Sequence, residues 1–422
     1  MKTSTLFILI FISISSSLAQ KQTGIKMLNK YLQEKEFFKL EAAYKQQKNI
    51  LSEFDDMYYG ALIDNASNRC AESTKKIERL LNGSKLKGQT TLQLLKVQMD
   101  NAVKLDNYSM AARMGDYILS SYSSFLDATE IADIRNSTKL WRALENVAPQ
   151  QTNRIQSSVK WTRDKIGLMN IPVRIGKETN DFVFDTGANL STISLSYAKK
   201  LNMKILPTRI NLSSSTSIQN EATLAVAPIV FIDKTALKNV VFLVLPDENL
   251  QFPQLDYAIH GIIGFPVMNQ LKEVQITRDG LFHIPEQIAN NVDQNLVLDG
   301  LTPIIQLKID NDTLLCRFDT GALETELFKK YYEANKSRVE QEGRVDSIRR
   351  AGAGGTHKVN AYKMAPSTFI INHKKTTLSN FAILTESLGD FDKHFYGNIG
   401  QDIIGRFNKM TINFQSMYID FD

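Results

Sequence analysis

Residues 182–194 read Phe-Val-Phe-Asp-Thr-Gly-Ala-Asn-Leu-Ser-Thr-Ile-Ser, and residues 314–328 read Leu-Leu-Cys-Arg-Phe-Asp-Thr-Gly-Ala-Leu-Glu-Thr-Glu-Leu-Phe. Each stretch sets a carboxylate directly after an apolar run and directly before Thr-Gly-Ala. One Asp-x-Gly is an ordinary turn signal. Two copies of the same tetrapeptide, 319 − 185 = 134 residues apart, call for one explanation covering both.

The texture around the two copies repeats as well. From Trp161 onward short runs alternate in polarity, at Leu168–Ile175, Asp181–Phe184, Ala225–Ile232 and Val240–Leu245, and the chain closes with Met410–Phe414 and Met417–Phe421. Period-two alternation bounded by turn residues predicts strands. Each half then runs strand, Asp-Thr-Gly-Ala, apolar strand or helix, a long hairpin zone, more strands, and an apolar residue or pair before glycine. That last element is Ile262-Ile263-Gly264 in the first half and Asn398-Ile399-Gly400 in the second. The polar segment 285–300 is expected to link the halves.

Residues 21 to about 150 have a different period. Tyr31, Phe37, Phe38, Ala42 and Ile50 to Phe54 recur at spacings of three and four with Lys and Glu between, which predicts helices. Met57–Leu62 and Thr91–Leu95 are related helices some 36 residues apart, each followed by another near Ala71–Leu81 and Met110–Ser120. Helix pairs at that period suggest a TPR-like stack, with a plain helical bundle as the alternative because the repeat's signature residues are mostly missing. Gly83-Ser-Lys-Leu-Lys-Gly88-Gln89-Thr90 has the glycine spacing of a phosphate loop, but Gln89 stands where the lysine belongs and no strand precedes it. It reads as a turn between helices.

The chain has 422 residues, enough for several domains, and 50 basic against 45 acidic residues, a balance that gives no support to nucleic-acid binding. Lys2, the apolar run Leu6–Ile12 and Ser17-Leu18-Ala19 have the layout of a secretory signal over residues 1–19, too short to span a bilayer. An exported protein, periplasmic or secreted and without a membrane span after cleavage, is expected. Only Cys70 and Cys316 are present, which is no disulfide framework and no metal site; free or buried thiols are expected. The five histidines lack metal-ligand spacing and no Gly-x-Ser-x-Gly occurs, so no metal, no cofactor and no serine hydrolase are expected. Asn189 opens an Asn-x-Ser sequon beside the first Asp-Thr-Gly, where a glycan would crowd the motif.

The two Asp-Thr-Gly-Ala loops, each backed by an apolar-Gly element, resemble the pepsin/retropepsin superfamily of aspartic peptidases, closest to the retropepsin-like branch, over residues 160 to 422. The resemblance implies an all-β bilobal acid-protease fold with lobes at 160–285 and 286–422; together with the all-α helical-hairpin array (TPR-like) at 20–155 read from the apolar spacing, a multidomain α + β protein is expected. It implies an endopeptidase acting on peptide or protein substrates, with Asp185 and Asp319 as the catalytic dyad. Thr186, Gly187, Ala188, Thr320, Gly321 and Ala322 form the supporting loops. The glycines permit a tight loop and close approach, and the threonine hydroxyls can bond across to the opposite loop. Two carboxyls so placed share a proton, and one activates water while the other donates to the oxyanion. Ala351, Gly352, Ala353, Gly354 and Gly355 are flap candidates.

Departures from the family pattern carry expectations of their own. Ala188 and Ala322 replace the usual hydroxyl residues, so a mildly acidic to near-neutral optimum is expected. Gln401 stands where retropepsins carry arginine, so loop support must be arranged differently. With both halves in one chain a monomer is expected, rather than halves that each pair with another chain. The alternative to the enzyme is a non-catalytic binding module of the same fold, with the helical part recruiting a protein partner.

Overall fold

The computed structural model of the protein describes residues 22–83, 86, 88–213, 219–290, 293–352, 355–387, 389 and 391–422. The signal-like residues 1–19 lie outside the described part, as do Ala353 and Gly354.

Helices occupy 22–33, Phe37–Gln47, Glu53–Ala66, Cys70–Gly83, Gln89–Lys104, Tyr108–Ser121 and Ala128–Ala143. The periodic run read through Ile50–Phe54 is broken, because Ser52 turns extended and caps a new helix by accepting the Asp55 N–H at 3.1 Å. Two helical hairpins follow, their first helices starting 89 − 53 = 36 residues apart. The last helix opens on a reciprocal cap: Asp127 accepts the Glu130 N–H at 2.8 Å and Glu130 accepts the Asp127 N–H at 3.0 Å.

In the β region the two halves follow one path. In the first, strands Thr235–Leu245, Ser191–Ser194, Gly261–Ile263, Glu178–Phe184 and Met169–Ile175 lie side by side in that order. In the second, Ala382–Leu384, Glu326–Leu327, Gly397–Ile399, Asp312–Phe318 and Thr302–Ile309 lie in the same order. The strand senses match pair by pair: parallel, antiparallel, parallel, antiparallel. Two-residue turns feed both Asp-bearing strands, with Gly176 at φ +61° and Asp310 at φ +52°. The halves differ in closure, since only the first pairs its long hairpin strand Gln219–Ile232 back onto both Thr235–Leu245 and Met169–Ile175.

A five-stranded sheet joins the lobes: Ser157–Lys160, Leu281–Ile284, Glu273–Thr277, Lys409–Asn413 and Tyr418–Phe421. Its centre pairs Val274 with Ile412 across the halves. Glu273 is buried there and stays satisfied, accepting from Asn413 Nδ2 and Ala289 N at 2.8 Å each. One core runs beneath both lobes, from Phe182, Phe184 and Ile263 to Phe318, Ile399 and Phe421. The segment 285–300, expected as a plain linker, instead contains the strand Leu296–Asp299, whose Leu296, Val297 and Leu298 are buried. Three consecutive apolar residues at its end outweigh the polar stretch before them.

The helices pack on the β region. Ala111, Trp141 and Leu144 share a core with Leu224, Leu243 and Ile259. Asn68 donates to Asn269 and to the Phe414 carbonyl at 2.8 and 2.9 Å, and Lys35 pairs with Asp299 at 2.7 Å. Among the described residues no helix is long and apolar enough to cross a membrane. Cys70 and Cys316 are free and buried, and burial pushes the Cys70 thiol up to about 11.

Candidate active site

Each aspartate ends a strand buried among phenylalanines, and the neighbouring parallel strand catches its backbone. Asp185 N donates to Ile263 O at 3.1 Å and Asp319 N to Ile399 O at 3.0 Å. The chain then turns, and Gly187 N and Gly321 N donate back to Asp185 Oδ1 and Asp319 Oδ1 at 2.7 and 2.9 Å. Below the loops, Phe265 N donates to Ala188 O and Gln401 N to Ala322 O, both at 2.9 Å. Ser191 Oγ accepts Gly264 N at 3.1 Å and Thr325 Oγ1 accepts Gly400 N at 3.0 Å. Every one of these contacts has its twin in the other lobe.

The loops interlock through Thr186 and Thr320, both fully buried. Thr186 N donates to Thr320 Oγ1 at 3.0 Å, and Thr320 N to Thr186 Oγ1 at 2.9 Å. Thr186 Oγ1 donates to Phe318 O and Thr320 Oγ1 to Phe184 O, each at 2.7 Å. A hydroxyl that both donates and accepts is needed at each position, which is why Thr serves and Val would not. Neither Gly187 nor Gly321 has a positive φ. Close approach is what demands glycine: a Cβ on Gly187 would run into Asp319 and Arg317, and one on Gly321 into the Asp185 carboxyl.

Each carboxyl lies against the glycine of the opposite loop, and the two interact directly. Asp185 keeps some surface, but its carboxyl is enclosed by protein. Burial first, and then the Asp319 charge, push it well above the usual carboxylate range, while Arg317 and the Gly187 N–H pull the other way.

Gln401 does take over loop support. Its Nε2 donates to Thr320 O at 2.6 Å, and its Oε1 accepts from Arg163, 238 residues earlier in the chain. That guanidinium comes from the strand Thr162–Arg163. Asp402 beside it accepts Thr325 N and Thr325 Oγ1 at 2.9 and 2.6 Å.

Of the flap candidates, Ala351, Gly352 and Gly355 lie on the paired strands Arg344–Gly352 and Gly355–Lys363, with Gly352 opposite Gly355 and Ala351 opposite Thr356; Ala353 and Gly354 lie outside the described residues. In the first lobe the matching hairpin strand is held by helix Ala128–Ala143, where Asn136 Oδ1 accepts Asn211 N at 3.1 Å. Three residues of the site carry no sequence signal that singles them out: Arg163 behind Gln401, and Arg317 and Asn398 at the dyad. The only trace of the last two was polarity, at positions where the first half carries Val183 and Ile262.

Two interlocked Asp-Thr-Gly-Ala loops on a repeated strand path bring Asp185 and Asp319 together between two lobes. Residues 171–267 match the model of the aspartyl protease family. A crystal structure of a retropepsin-like aspartic protease from Rickettsia conorii is similar at 21% identity, covering 32% of this chain and 92% of that one, with a TM-score of 0.23. No curated protein matches. The second lobe's likeness to the first rests on the shared strand path and loop contacts.

Proposed function

We propose that the protein is an exported aspartic endopeptidase in which Asp185 and Asp319 act as one acid–base pair. The observation that carries the reading is the reciprocal threonine bonding, which fixes two carboxyls face to face within one chain. One carboxylate takes a proton from water as its oxygen bonds to the peptide carbonyl carbon, and the partner donates its proton to the carbonyl oxygen. Protonation of the amide nitrogen then releases the amine as the C–N bond breaks. The upward push on Asp185 supports a mildly acidic to near-neutral optimum rather than a strongly acidic one.

With both loops on one chain, the site needs no second copy, so a monomer is the working form. The paired strands Arg344–Gly352 and Gly355–Lys363 close over bound peptide, and the helical hairpins offer a face for a protein partner. Export follows from the signal-like residues 1–19, and amino-terminal sequencing of the mature protein tests it, with Gln20 expected first.

The decisive experiment is cleavage of a peptide library by the native protein and by Asp185→Asn and Asp319→Asn. Loss in both variants supports the peptidase. Cleavage that survives in both overturns it, and peptide binding without cleavage by the native protein points to a non-catalytic binding module.

A further inference from the structure

The twinned loops are not electrically equal. Two residues before each aspartate stand Val183 and Arg317, and the register partners on the parallel strands are Ile262 and Asn398. The first lobe thus fills this pair of positions with hydrocarbon and the second with a cation and an amide. Arg317 Nη2 donates to Gly187 O at 2.6 Å across the lobes and lies 3.5 Å from Asp319 Oδ2. Asn398 Nδ2 donates to that same Oδ2 at 3.2 Å. Among the described residues, Asp185 accepts the Gly187 N–H and faces Asp319, with no side-chain amide or cation bonded to it.

The polar pair is costly where it sits. Arg317 Nε and Asn398 Oδ1 are buried without a hydrogen-bond partner among the described residues. The first lobe demonstrates that Val and Ile fit the same register, so packing does not require polarity here.

Resting on the peptidase reading above, we propose that Arg317 and Asn398 are positioning residues that break the symmetry of the dyad. They hold Asp319 as the carboxylate that takes the proton from water and leave Asp185 as the carboxylic acid. As the water oxygen bonds to the carbonyl carbon, the π pair moves to the carbonyl oxygen, which takes the proton of Asp185. Asp319, now protonated, delivers that proton to the amide nitrogen as the C–N bond breaks. One hydroxyl of the diol returns its proton to Asp185 and both groups are restored. The upward push of burial on Asp185 agrees with that order. On adjoining elements stand Glu326, the register partner of Asn398, Asp402 beneath the second loop, and Arg163 beyond Gln401; the variants below leave all three in place.

The test copies the first lobe into the second. The double variant Arg317→Val with Asn398→Ile is expected to fold with a native circular dichroism spectrum. Its kcat is expected to fall at least about tenfold with KM little changed. Without the cation, ionisation of the pair is harder, so the acidic limb of kcat/KM moves to higher pH by about one unit. Arg317→Lys is expected to keep the limb near its native position. A double variant with native kcat and native pH profile, or with a defect in KM alone, overturns the proposal.

A second readout needs neither activity nor a folded double variant. Carbon-13 carboxyl titration of the native protein, assigned with Asp185→Asn and Asp319→Asn, is expected to find Asp319 ionising first. The opposite order overturns the proposal even if peptidase activity stands. Absence of cleavage by the native protein would sink the peptidase reading while leaving this titration order measurable.

Discussion

Thr186 and Thr320 accept each other's backbone N–H groups on their hydroxyls, at 3.0 and 2.9 Å, and each hydroxyl passes its own proton to the carbonyl before the opposite aspartate. Four buried bonds thus depend on two oxygen atoms. Thr186→Val strands the Thr320 N–H and the Phe318 carbonyl, at about 1–3 kcal/mol for each buried group left unpaired. The melting temperature and kcat are both expected to fall, and Thr186→Ser to recover most of each. A Val variant with native melting and native kcat would refute the interlock.

Gly321→Ala aims a methyl group at the Asp185 carboxyl. Displacing a reacting group by about 1 Å costs on the order of a hundredfold in rate. The expected outcome is that loss in kcat/KM, measured on a peptide cleaved by the native protein, from a chain that still folds. Gly187→Ala is expected to behave alike, because its added carbon meets Asp319 and Arg317.

The raised pKa of Asp185 makes stability depend on pH in a definite direction. The folded state keeps this proton to higher pH than the unfolded chain, where an aspartate titrates near about 3.9. Between those values the folded state binds more protons, so its stability falls as pH rises. Asp185→Asn removes the titration. The variant is expected to melt higher than the native protein at neutral pH, with a flatter dependence of melting temperature on pH above about 4. An unchanged slope would contradict the burial argument.

Gln401→Leu deprives the buried Thr320 carbonyl of its 2.6 Å donor and takes from the Arg163 guanidinium one of its two acceptors, leaving the Gly167 carbonyl. A loss of about 1–3 kcal/mol in stability is expected. Chemical denaturation of Gln401→Leu measures it, and Arg163→Leu is expected to cost less, because Gln401 Nε2 keeps its own bond.

Far from the dyad, Asp127→Ala removes the cap of helix Ala128–Ala143. About 0.5–2 kcal/mol of stability is expected to go. Peptidase kcat/KM is expected to hold, which separates general destabilisation from damage to the loops.

Much of this arrangement could be read along the chain. Asp-Thr-Gly-Ala is a local signal: the loop needs a carboxylate, a hydroxyl and the absence of a Cβ within a few consecutive residues, and alternation marks the strand before it. The 36-residue offset of the helical hairpins survives in apolar spacing, because helix faces are set by residues three and four apart. The strand at 296–299 was hidden by the polar residues before it, and the helix break at Ser52 by apolar neighbours on both sides.

The sequence alone determined that two such loops exist, that each follows a strand, and that helices precede them. Only the tertiary structure decided what surrounds the carboxyls. Arg163 reaches Gln401 across 238 residues, and Arg317 and Asn398 meet one oxygen of Asp319 from two different strands. Hydrogen bonds and charge interactions depend on distance in space, and a linear pattern carries no record of which strand ends a fold will bring together.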